Sequence, residues 1–429
     1  MPAAVAAAVV VAGPTRRRLL VVAPFGSYRS LPFLEAVRAV GVTPVFATEG
    51  ASALVDSGVP GLRLRFADPA HCVREIREEV CRHGPFAAVL GLDDWGTEIA
   101  GAIAAELGLA ANPPAAVRVA RRKDWARAAL AAAGVRTPWH RVMALDTPPA
   151  ASVLEAFPYP LVIKPVSLSA SQGVMRVDDP GALRTGLERL SRLLDRCAHP
   201  VPRLALVEAF IPGVEIALEG LLTAGRLETL ALFDKPEPLD GPFFEETYYI
   251  TPSRLPAATQ EAIRREVERG ASAYGLREGP VHAECRVNPQ GVFLIEIAAR
   301  TIGGLCGRLL RFGLGCSLEE VVVRHALREP MNLGKQEGAS GVLMIPVPEA
   351  GILRRVEGLM AADKVPGVVE VVIDVREGQE LVPLPEGSSY VGFIFARGPT
   401  FDAVFNALKT AHAHLRFVVS PCWRVGATA

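Results

Sequence analysis

At 429 residues, half of them hydrophobic, the chain is long enough for two to four domains with sizeable cores. Lysine plus arginine and aspartate plus glutamate each total 46, so no bulk field points to nucleic acid or to an anionic membrane surface. Seven scattered cysteines, from Cys72 to Cys422, form no CxxC pair, which suits reduced thiols in a cytoplasmic protein. The apolar start MPAAVAAAVVVAG is short, and its charges, Arg16 to Arg18, follow it rather than precede it. A disordered leader over residues 1–15 is expected there instead of a signal peptide, and no other run approaches the roughly 20 apolar residues of a membrane span.

From Arg18, LLVVAPFG reads as a buried strand ending in a glycine turn, followed by a helix from about Leu31 to Val40. VTPVFATE is a second strand, Cys72–His83 a helix, FAAVLGLDD a third strand with acidic residues at its carboxyl end, and Thr97–Leu107 a helix. Strand and helix alternating in this way imply an open parallel sheet over residues 16–112. Phe25-Gly26-Ser27 is not a GxGxxG fingerprint, so this domain is expected to be a scaffold whose strand ends border a cleft.

Asn112-Pro113-Pro114 marks a boundary. The next helix carries Arg121-Arg122-Lys123-Asp124, a run that alone reads as a solvated face, and continues to about Ala133. In YPLVIKPV the one charged residue, Lys164, needs a partner or an anion, because a lysine is seldom buried unpaired. The small-residue loop Ser167 to Gly173 follows at once and suits closure over phosphates through its amides. LALVEAFIPG places Glu208 at the end of a buried strand with Phe210 and Ile211 beyond it, and Glu215 and Glu219 lie on the next strand. PEPLDGPFFEETYYITPS is long enough to be a lid, after which Ala257–Tyr274 is helical.

GPVHAECRVNPQGVFLIEIAARTIGG, residues 279–304, is the densest stretch. Val281, Ala283, Cys285 and Val287 alternate with His282, Glu284 and Arg286, which is the period of a strand with one apolar face. A three-residue turn with Gly291 in the left-handed position would pair Asn288 with Val292 and so set Glu284 opposite Glu296. Opposed carboxylates about 5 Å apart demand a shared proton or a cation. All-oxygen ligands with room for phosphate suit Mg²⁺. Arg300, four residues on, aims a fork of donors where an anion would sit. Beyond about residue 330, GVLMIPV, VVEVVIDV, SYVGFIFAR and the helix Thr400–His414 form an α+β module. The whole reads as a multidomain chain of α/β and α+β parts.

Taken together, Lys123, Lys164 with its loop, Glu208 and the Glu284…Glu296…Arg300 hairpin resemble the ATP-grasp superfamily, over residues from about 18 to 330. FDKPEPLDGPFFEE and the carboxy-terminal module from near Gly341 resemble, within it, the L-amino acid ligases and their carboxylate–amine ligase relatives. The resemblance implies a Rossmann-like pre-ATP-grasp domain over 16–112 and an ATP-grasp domain over 113–330, with a lid at about 140–210. A ligase-type domain over 331–429 would complete the chain. It implies amide or peptide bond formation through an acyl phosphate, with ATP going to ADP and phosphate. Lys123 and Lys164, with Ser169, Ser171, Gln172 and Gly173, would hold the phosphates; Glu208, Phe210, Ile211 and Glu215 would hold the nucleoside. Glu284 and Glu296 would bind Mg²⁺ or Mn²⁺, Arg300 would stabilise the acyl phosphate, and Lys235 would touch the transferring phosphoryl group.

Glu245 or Glu246 would meet a substrate ammonium, the plain alternative being an exposed acidic loop; Gly303, Gly304 and Arg308 would face the substrates. Many relatives carry Asn two residues after the second carboxylate, where this chain has Ala298; His282, facing it, or water would fill that place. Cys285 and Cys306 are expected to be packing thiols. Partners are then a small-molecule carboxylate and an amine, with no nucleic acid and no membrane, and a homodimer is common among relatives. Two other readings stay open: a biotin-carboxylase-like subunit and a non-catalytic nucleotide-binding module. Against the first, the phosphate loop is SLSASQG and no Met-Lys-Met is present.

Overall fold

A run of leucine and valine is stable as a strand only when both faces of its sheet are covered, and Arg18–Val22 is buried over Leu19–Val22. The computed structural model describes residues 17–50, 58–147, 149–197, 201–331, 333–334 and 337–422; the leader expected over 1–15 lies outside them. Arg18–Val22 pairs in parallel with Thr43–Thr48 on one side and Ala88–Gly91 on the other. Gly61–Arg63, a strand too short for periodicity to mark, extends this parallel sheet to four strands. At the carboxyl end of Ala88–Gly91, Asp93 caps the helix Asp94–Leu107 by accepting from the amides of Trp95 and Gly96 at 3.0 and 2.9 Å. That cap fixes Asp94 at the mouth of the cleft.

The helix expected through Arg121 to Ala133 is in fact two, Pro114–Arg121 and Lys123–Ala132, because Arg122 is extended (φ −110°, ψ 99°). The break frees the Lys123 amide to donate to Val166 O at 2.9 Å, tying the new helix start to the segment expected as the lid. That segment is a four-stranded antiparallel sheet in the order His140–Ala144, Leu204–Ala209, Leu161–Pro165 and Met175–Val177. The helix Pro180–Leu194 covers it with Leu183, Leu187, Leu190 and Leu193, an apolar face at helical spacing.

The largest sheet has eight strands. In spatial order they are Gly291–Ala298, Gly279–Asn288, Val214–Thr223, Arg226–Lys235, Tyr248–Thr251, Ala339–Ile345, Gly392–Gly398 and Val368–Ile373. Strands from both sides of residue 330 therefore share one sheet, joined where Tyr248–Thr251 pairs with Ala339–Ile345. Ile263, Val267 and Ala271 of the helix Ala257–Tyr274 pack on Ala283, Cys285 and Leu294. Val404, Leu408 and Ala411 of Phe401–His414 cover Leu343 and Ile394. A satellite sheet of Gly351–Glu357, Glu380–Leu381 and Arg416–Ser420 went unmarked in the sequence, because Arg354, Arg355 and Glu357 interrupt its apolar pattern.

The hairpin reaches the expected pairing by another route. Its turn has two residues, since Asn288 pairs with Gly291 and Val287 with Val292. That register alone would set Glu284 against Ile295. A bulge at Ile295 adds one residue, and Glu284 faces Glu296 after all, with His282 facing Ala298. Because side chains alternate between faces, this one extra residue turns Glu296 into the cleft.

Candidate active site

A cavity of about 520 Å³ is lined by the first domain, the lid, the eight-stranded sheet and the carboxy-terminal strands together. Lys123, Lys164, Ser169, Ser171, Glu208, Phe210, Ile211 and Glu215 all reach it, as do Glu246, His282, Glu284, Glu296, Arg300, Gly303 and Gly304. Gln172 and Gly173 do not line it; they bond to Glu386 O and Pro385 O. Glu245 also stays outside the lining, and Arg308 turns away to pair with Glu370 at 3.0 Å. Lys235 lies behind the wall, 7% exposed.

Charges in the cavity occur in linked groups. Lys123, at the start of its helix, donates to Leu168 O at 2.8 Å and lies 3.4 Å from Glu296. The Arg121-Arg122-Lys123 run is thus no solvated face: Arg121 stacks on Trp95 at 3.7 Å, and Arg122 grips Asp124 with two bonds. In the second group Glu208, almost wholly buried, is held by Lys164 at 2.5 Å and by the Arg127 guanidinium. Burial opposes ionisation of Glu208, but those two cations outweigh it and hold its pKa at about 2. Burial pushes the Lys164 ammonium down, partly offset by Glu208. Arg127 also donates to the carbonyl of the bulge residue Ile295 at 2.6 Å, so one guanidinium braces both the lid strand and the turned-in Glu296.

The third group surrounds Lys235. Its ammonium lies 2.7 Å from Glu215, 2.5 Å from Glu246 and 3.0 Å from Glu284, and 4.9 Å from the centre of the Tyr249 ring. Burial disfavours that charge, yet the carboxylates overcome it and raise the lysine well above its ordinary value. The Arg286 guanidinium shares Glu215 at 2.9 Å, which leaves Glu246 and Glu284 to compete for one ammonium. Burial and the neighbouring Glu284 push Glu246 up to about 8, while Lys235 and His282 hold Glu284 well below the usual range against its own burial. Oxygens of Glu215, Glu246 and Glu284 lie within 4.8 Å of one another, hard donors of the type a divalent cation takes, but the Lys235 ammonium already sits among them. Glu296, opposite Glu284, stands outside this group. His282 sits 3.3 Å from Glu219 and 3.8 Å from Glu284, and its Nδ1 has no partner with hydrogen-bond geometry.

Arg300 donates to Asp94 of the first domain at 3.1 Å and to Thr301 O at 3.0 Å, and Arg29 reaches Thr301 Oγ1 at 2.5 Å. Sequence reasoning missed Asp94, Arg127 and Tyr249. Arg127 is legible in hindsight, four residues after Lys123 on the same helical face. Asp94 carries the signal of an acid at a strand's carboxyl end in an open α/β sheet.

A family model described as ATP-grasp domain matches residues 157–308. Residues 157–308 are an ATP-grasp domain. A second model, L-amino acid ligase C-terminal domain 2, matches residues 343–420. The fold of the chain is similar to the crystal structure of L-amino acid ligase from Bacillus licheniformis, with a TM-score of 0.77 and 25% identity. The match covers 95% of this chain and 100% of that one. A D-alanine–D-alanine ligase of Aromatoleum aromaticum is 31% identical over 191 residues, 40% of this chain and 58% of the relative. An alanine–anticapsin ligase of Bacillus subtilis is 29% identical over 217 residues, 46% of this chain and 44% of the relative. The chain thus spans less than two thirds of the length of these curated relatives. Among the described residues no helix is long and apolar enough to cross a membrane, and all seven cysteines are free thiols.

Proposed function

We propose that this chain is an ATP-dependent carboxylate–amine ligase that joins an amino acid to a second amino acid or an amine through an acyl phosphate. One observation carries the reading: Lys123, Lys164 and Arg300 enter the same cavity as Glu284, Glu296 and Glu246. A substrate carboxylate is an anion that must attack an anionic γ-phosphate, so a site for this reaction needs cations aimed at one place. The carboxylate oxygen bonds to the γ-phosphorus as the bond to the ADP oxygen breaks. The neutral amine, its ammonium proton given up to water, then attacks the acyl carbon, phosphate leaves, and the proton shed by the new amide nitrogen goes to that phosphate. Lys123 and Lys164 hold the phosphates, Ser169 and Ser171 offer hydroxyls beside them, and Arg300 takes the charge on the transferring group. Phe210 and Ile211 wall the base, and Glu215 meets the ribose. Glu284 and Glu296 would hold Mg²⁺ or Mn²⁺, which neutralises phosphate charge. Lys235 keeps the Glu215–Glu246–Glu284 cluster from self-repulsion until a substrate ammonium comes to Glu246.

The test is a screen of amino-acid pairs with ATP, scored by mass spectrometry. A product equal to the two partners less one water, with one ADP each, is expected. ADP release only with bicarbonate and biotin would mean a carboxylase instead, and ATP binding without release under any pairing would mean a non-catalytic module.

A pH dependence follows from Glu246. Its carboxyl, pushed up to about 8, carries a proton at neutral pH. An ammonium docks on the carboxylate form, so affinity for the amino-acid substrate should rise as pH increases through about 8. Glu246→Gln should abolish that rise, as measured by substrate titration at several pH values.

A further inference from the structure

The loop expected to close over the phosphates is shared between two neighbours. Ser169 and Ser171 line the cavity. At its far end, the Gly173 amide donates to Pro385 O at 2.8 Å and Gln172 Nε2 to Glu386 O at 2.7 Å. The Glu386 carboxylate accepts both forks of Arg189, on the lid helix Pro180–Leu194, at 2.5 and 2.7 Å. A short way along the chain, Ser388, Ser389 and Tyr390 line the same cavity that the two lid serines enter. The connecting segment is tied at both ends. Gly387 donates to Pro383 O at 2.8 Å, and a Cβ there would lie 1.8 Å from Val382 O; Val391 donates to Ile345 O at 3.0 Å, anchoring the segment to the sheet.

We propose that Arg189 and Glu386 are positioning residues for the phosphate loop, clasping it to the carboxy-terminal module so that lid closure and the substrate-facing wall form one unit. This rests on the ligase reading above. An acyl phosphate partitions between amine and water, so a loop held down over it favours the amide. Most surface ion pairs contribute little, but a two-pronged guanidinium–carboxylate pair is the exception, and this one joins elements far apart in the chain. Both side chains are partly exposed, 38% and 30%, so changing them leaves the cores untouched.

The experiment uses the full chain in two arms. First, amide hydrogen exchange at Gly173 is followed without substrates. Glu386→Ala should speed it by about tenfold, because local opening becomes easier, and the reversed pair R189E with E386R should restore most of the protection. Second, ADP released per amide formed should rise severalfold in Glu386→Ala and fall again in the reversed pair. Unchanged Gly173 exchange in Glu386→Ala would overturn the proposal. So would a reversed pair as unprotected as the single variant, or faster exchange with an unchanged ratio of ADP to amide. If the parent chain makes no amide at all, the ligase reading fails, while the exchange arm still decides the clasp.

Discussion

Arg300→Met is expected to lower the rate of ADP formation by about three orders of magnitude, the scale found when a guanidinium serving phosphoryl transfer is removed. Arg300 is anchored on both sides, by Asp94 at 3.1 Å and by the Thr301 carbonyl at 3.0 Å, so its fork is held in place before any substrate arrives. Burial works against its charge, but Asp94 and Glu296 more than compensate and keep it cationic. Arg300→Lys retains a point charge without the planar fork and should fall between the two. Single-turnover ADP release, read beside a thermal unfolding curve, separates lost chemistry from lost fold. Turnover of the methionine variant within tenfold of the parent would remove Arg300 from the reaction.

The second large effect concerns stability. Arg127→Met should destabilise the chain by about 3–5 kcal/mol, because it strands a buried carboxylate with one cation fewer and leaves the Ile295 carbonyl without its donor. The Glu208 ionisation gives this group a pH signature. Its pKa is about 2 in the fold against an ordinary 4.5. A depressed carboxyl stabilises above its unfolded value and loses that contribution as pH falls through its folded value. The parent should therefore lose on the order of 3 kcal/mol between about pH 4.5 and 2, from the shift of 4.5 to about 2 at 1.36 kcal/mol per unit. Denaturant unfolding at stepped pH reads this directly, and Glu208→Gln should flatten the slope across that window.

Much of this site was legible because its chemistry is carried by residue types that resist burial. Lys164 inside YPLVIKPV, and Glu284 and Glu296 on alternating strands, announce themselves by being in the wrong company. The hairpin shows both the reach and the limit of such reasoning. Pairing of Glu284 with Glu296 followed from an assumed three-residue turn, whereas the chain uses a shorter turn and a bulge that sum to the same register. Nothing in VFLIEIA marks Ile295 as the extra residue, since its carbonyl is satisfied by Arg127 from a helix more than 160 residues earlier. The break at Arg122 escaped notice for a similar reason, as what rewards it is a carbonyl on the lid. The Lys235 cluster is half legible: the sequence suggests a separate partner for each of Glu215, Glu246 and Glu284, and only the fold reveals that they converge.

The pairing of Tyr248–Thr251 with Ala339–Ile345 has a practical corollary for anyone wishing to dissect this molecule. Severing the chain near residue 335 would strip a central strand of its neighbour and lay bare a ladder of unsatisfied amides, which is an invitation to aggregate. Chimaeras that trade carboxy-terminal halves between relatives should for the same reason exchange both members of that pair, or neither.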